Sequence, residues 1–117
     1  MQFHELGTQI LLEDSAINED VIVYTVPVNK IFHLVSAGTS TNGGAIGTVK
    51  GCIRNASNVV QKTIGKMKIG ATTLVFPSIP FSPCWPVKMT AGWNMCIHSD
   101  AAILEGTLSI FGIETDV

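Results

Sequence analysis

Asp20-Val21-Ile22-Val23-Tyr24-Thr25-Val26-Pro27-Val28-Asn29-Lys30-Ile31-Phe32-His33-Leu34-Val35-Ser36-Ala37 holds two strands and the turn between them. β-Branched and aromatic residues crowd its first half, which suits a pleated, half-buried surface. Pro27 has no N–H to give a neighbouring strand and ends it. Val28-Asn29 makes the turn, and residues 30–37 form the next strand. Both faces of residues 20–27 are apolar, which predicts a strand in the middle of a sandwich.

The same grammar runs through the rest of the chain. Residues 38–44 (GTSTNGG) read as a loop. Residues 46–55 alternate, with Val49, Gly51 and Ile53 on one face and Lys50, Cys52 and Arg54 on the other. After a turn at Ala56-Ser57-Asn58, residues 59–69 alternate too, with Lys62, Ile64, Lys66 and Lys68 on one face. Residues 72–76 make a short strand. Residues 77–86 hold four of the five prolines and predict a stiff, extended connection, not a regular central strand. After residues 87–90 and a turn at Ala91-Gly92, residues 93–99 put Trp93, Met95 and Ile97 opposite Asn94, Cys96 and His98. Residues 104–113 close the chain. The one helical signal is a single turn over residues 15–19. The expectation is an all-β chain: an antiparallel β-sandwich or jelly roll of about eight strands. Residues 20–117 make the single domain, and residues 1–19 an N-terminal arm or edge strand.

Composition narrows the function. Charged residues are 14% of 117 and mean hydropathy is +0.38. Ordinary soluble domains carry about 25% charge. A disordered chain is ruled out. No run of about 18 apolar residues exists to span a membrane as a helix, and residues 1–5 lack the basic start of a signal peptide. So little charge on a small domain implies that another chain covers apolar surface.

Catalytic signatures are missing. Cys52, Cys84 and Cys96 fit no zinc spacing and read as buried free thiols of a reducing compartment. His4, His33 and His98 form no His-x-His or His-Glu-x-x-His, so no metal or other cofactor is expected. No Gly-x-Ser-x-Gly elbow occurs, and acids are confined to the chain ends, so an enzyme is not expected. Asn55-Ala56-Ser57 matches a glycosylation triplet but has no signal peptide to accompany it.

The charges are segregated. Residues 1–20 carry five acids and no base. Residues 30–88 carry all seven bases, and residues 100–117 carry four acids. Either the charges cancel within one subunit, or acidic ends meet a basic face on a neighbouring copy and set its register. The interface residues expected are Lys62, Lys66 and Lys68 on the basic side and Glu13 and Asp14 on the acidic side. Phe81 and Trp85 join them from the proline-rich connection, where a stiff backbone lowers the ordering cost of binding. A net charge of −2 and few stacking aromatics argue against nucleic acid as partner.

Two segments resemble small structural proteins of tailed bacteriophages. Val23-Tyr24-Thr25-Val26-Pro27-Val28-Asn29-Lys30-Ile31-Phe32-His33-Leu34 is similar to their "strand, Val-Pro-x-Asn/Gly-Lys, strand" opening. Pro86-Val87-Lys88-Met89-Thr90-Ala91-Gly92-Trp93-Asn94-Met95-Cys96-Ile97 is similar to their later hairpin, and a last strand near the C-terminus completes the likeness. The resemblance covers about a third of the chain. It implies a cofactor-free jelly roll on the virion surface: a capsid cement or decoration protein, a homotrimer, bound to the major capsid protein. Pro27, Asn29 and Gly92 are the turn residues it carries over. The alternatives are a receptor- or glycan-binding module of a head or tail fibre, with Trp85, Trp93 and Tyr24 as exposed platforms, or a tail or neck joining subunit.

Overall fold

The computed structural model describes residues 7–42, 45–70 and 78–117. Among the described residues nine strands form: β1 (Thr8–Ile17), β2 (Asp20–Thr25), β3 (Lys30–Thr41), β4 (Gly47–Arg54), β5 (Val60–Ile69), β6 (Ser78–Phe81), β7 (Val87–Met89), β8 (Asn94–Ser99) and β9 (Glu105–Asp116). They make two antiparallel sheets. One has the order β1-β9-β3-β6, with β7 also on β3; the other has the order β2-β8-β4-β5. The chain is an all-β sandwich, as its alternation predicts.

The core lies between the sheets. Phe32, Leu34, Met89, Leu108 and Ile110 come from the first, and Val49, Ile53, Met95 and Ile97 from the second; all are at most 1% exposed. The inward phases predicted for residues 46–55 and 93–99 hold. Turn chemistry holds as well. Lys30 N–H donates to the Pro27 carbonyl, and Asn29 sits at φ 64°, a left-handed conformation that asparagine tolerates. Gly92 sits at φ 85° between Thr90 and Trp93, whose N–H donates back to the Thr90 carbonyl.

Several expectations change. Residues 20–27 do not lie mid-sheet: β2 is an edge strand, and Ile22 on its outer face is 50% exposed. Apolar residues on both faces here mark an uncovered edge. The loop expected at residues 38–44 is strand as far as Thr41. A bulge between Leu34 and Ser36 shifts the phase, so that Thr39 and Thr41 turn inward. A second bulge between Gly51 and Cys52 buries Ile64 in the core, off the lysine face. Residues 15–17 continue β1 and take no helical turn. Part of the proline-rich connection forms β6, at the sheet edge where proline is tolerated. The strand read at residues 72–76 lies outside the described residues, as do residues 1–6 of the N-terminal arm.

Candidate functional site

The outer face of the β2-β8-β4-β5 sheet is built by the outward half of each alternation. Register sets Lys50 between His98 on β8 and Lys66 on β5, and Asp20 on β2 opposite His98. One row across the sheet therefore runs acid, imidazole, base, base. Asp20 Oδ1 lies 2.5 Å from His98 Nδ1. The next row sets Cys52 directly opposite Cys96. Arg54 Nε donates to Asn94 Oδ1 at 2.8 Å, and Asn94 Nδ2 donates to Asn58 Oδ1 at 2.9 Å. Asp20, His98, Lys50, Cys52, Cys96, Arg54 and Asn58, with Val60, line a shallow depression of about 200 Å³.

The depression has a charged rim and a sulfur floor. Cys52 and Cys96 are buried and free. The Cys96 thiol hydrogen-bonds to Cys52 and holds it below the usual thiol range; Lys50, Thr63 and Arg54 add to that. The proton kept in that bond, together with burial, pushes Cys96 up. Among the described residues no cluster of His, Cys, Asp and Glu has metal-binding geometry. The third thiol, Cys84, is exposed, against the expectation that all three are buried. Alternation put Cys52 and Cys96 on outward faces, but their meeting depends on the β4–β8 pairing, for which the sequence has no local signal.

The predicted interface residues divide between two sides of the sandwich. Glu13 and Asp14 are exposed on β1, the edge of the first sheet. Lys62, Lys66 and Lys68 are exposed on β5, the edge of the second. Lys66 pairs with Lys50 and shares its face, whereas Lys62 pairs with Ile53. The three lysines thus fan around the β5 edge, where a single shared face was expected. Between described residues Lys30 forms an ion pair with Asp116, and the His98 ring contacts Asp20, so cancellation within the subunit is partial. Trp85 is 83% exposed on the proline-rich segment, whereas Phe81 is half-buried on β6 and packs against the core.

Tyr24 and Trp93, expected as exposed platforms in the glycan-binding alternative, are both half-buried against the core. The Tyr24 ring packs on Phe32 with centroids 4.8 Å apart, and its hydroxyl donates to Glu114. A stacking platform therefore remains at Trp85 alone of the three.

No family model matches the chain, and no curated protein matches it by sequence. Solved structures do match in fold. A chain of the acid-stable capsid of Helicobacter pylori bacteriophage KHP30 superposes with a TM-score of 0.56 at 10% identity, over 95% of both chains. A chain of the cyanophage Pam1 capsid asymmetric unit gives 0.52 at 12% identity, over 92% of this chain and 85% of its own. A pentameric capsid protein from metagenomic phage sequences gives 0.51 at 15% identity; this chain is 92% covered and spans 60% of that protein's length. The fold is thus a β-sandwich of the kind found in phage capsid proteins.

Proposed function

We propose that this chain is a structural protein of a tailed-phage virion, a sandwich of residues 20–117 with residues 1–19 as its edge segment. It cements the capsid from outside by spanning neighbouring major capsid proteins. The observation that supports this best is the superposition on a phage capsid chain over 95% of both lengths. Low charge and the exposed Trp85 agree with it, since both suit a surface that another protein covers. Buried area added across subunit boundaries raises the work of opening the shell, because anything that binds the closed state alone stabilises it. No residue is assigned a catalytic role. The assembly is a ring of copies, of three by the resemblance; the pentameric neighbour makes five the competing number.

Copy number and Trp85 test the proposal. Mass spectrometry of purified particles should find hundreds of copies, and particles stripped of the protein should rebind it. Trp85→Ser should weaken rebinding at least tenfold while leaving the fold intact, because the side chain is 83% exposed. A dozen copies or fewer would place the protein at the tail or neck, and rebinding by Trp85→Ser at full strength would remove the proposed docking loop.

A further inference from the structure

β1 and β2 lie over one another at one lateral side of the sandwich, and β5 lies over β6 at the opposite side. The two sides differ in sign. Glu13, Asp14, Glu19 and Asp20 are exposed on or beside β1 and β2, and no base lies between residues 7 and 29. Lys62, Lys66 and Lys68 are exposed on β5, and no acid lies between residues 45 and 99. Each side also exposes large apolar groups. Leu11 is 76% exposed and Ile22 50% on the acidic side; Val59 is 56% exposed and Val60 45% on the basic side. Edge strands moreover present unpaired backbone N–H and C=O groups along their outer rims.

From these surfaces we infer that the occupant of each side is a second copy of this chain: the acidic β1/β2 side of one copy docks on the basic β5/β6 side of the next. Apolar edge residues supply the contact, and the opposite charges fix which side meets which. A two-fold dimer would bring like against like, acid on acid or lysine on lysine. The complementary arrangement is head-to-tail, and such a contact builds assemblies of three or more copies, a ring where the rotation between copies closes and a filament where it does not. The same lysines alone would read as a guard against edge-to-edge aggregation. The acidic partner surface at the opposite side distinguishes the two readings. This inference deepens the proposed self-assembly and names its two faces.

Charge reversal tests it. In one variant Lys62, Lys66 and Lys68 are each changed to Glu; in a second, Glu13 and Asp14 are each changed to Lys; a third carries all five changes. Native mass is measured by light scattering over a concentration series, with circular dichroism to confirm folding. The wild type should have the mass of three or more copies. Each single-side variant should dissociate at concentrations at least tenfold higher than the wild type, and the five-change chain should recover the wild-type mass. Single-side variants that keep the wild-type mass would overturn the face assignment but leave self-assembly standing. A monomeric wild type, or a five-change chain as weak as its parents, would overturn the head-to-tail contact. Neither result depends on whether the chain binds capsids, so it can fail separately from the cement role.

Discussion

Thr39 marks the tightest point between the sheets. It is 1% exposed, and its hydroxyl finds no hydrogen-bond partner among the described residues. It faces two glycines paired across β4 and β5, Gly51 and Gly65. A Cβ added at Gly65 would stand 2.6 Å from Thr39 Oγ1 and 2.7 Å from Thr39 Cβ, so backbone or side chain must shift. Gly65→Ala should therefore cost about 1–3 kcal/mol in urea unfolding. Thr39→Val should add about 1 kcal/mol, because it removes an unpaired buried hydroxyl at nearly constant shape. Tyr24 gives a second residue-scale prediction. Burial, then the hydrogen bond to Glu114 and its charge, raise the phenol above its usual range. The folded state thus holds this proton more tightly than the unfolded chain. Its stabilising contribution is full below about pH 10 and is lost as pH climbs through the higher folded value. Tyr24 is the sole tyrosine, so tyrosinate absorbance reads it alone. The midpoint should lie above 10 in the folded protein, and Tyr24→Phe should flatten the alkaline loss of stability.

Elements were legible where alternation is local. Val49, Gly51 and Ile53 on β4, and Met95 and Ile97 on β8, face inward as their phase requires. Phase failed at bulges, where one extra residue turns the rest of a strand over. That is why Thr39 and Thr41 are core while their composition reads as loop, and why Ile64 leaves the lysine face. Pairing between distant strands was illegible for another reason. Which strand sits beside which is settled by packing of the whole sandwich, so the Cys52–Cys96 contact and the edge position of β2 had no sequence signal. Turns were readable because left-handed conformations need particular residues. The β2–β3 turn makes this quantitative. Asn29→Ala should cost about 1 kcal/mol, since alanine pays for φ 64° without the local hydrogen bonding of asparagine, while Asn29→Gly should be nearly neutral. Chemical denaturation of the pair measures the difference.

The whole molecule is a sandwich of 46 × 31 × 19 Å with acid at one lateral side and base at the other. The segregation visible along the chain becomes a polarity across the fold because the N-terminal acids fall on β1 and β2, and the central lysines on β5. Charges at chain ends need not have separated in this way; had β1 paired beside β5, they would have cancelled. Polarity of this kind suits an assembly of repeated copies, and the fold is one that phage capsid chains share. Cryo-electron microscopy of particles containing this protein tests the account most directly. It should show the chain on the outer shell in closed rings, with the β1/β2 side of each copy against the β5/β6 side of the next and Trp85 buried on the major capsid protein. Particles that lack the chain, or copies whose two charged sides both face solvent, would contradict it.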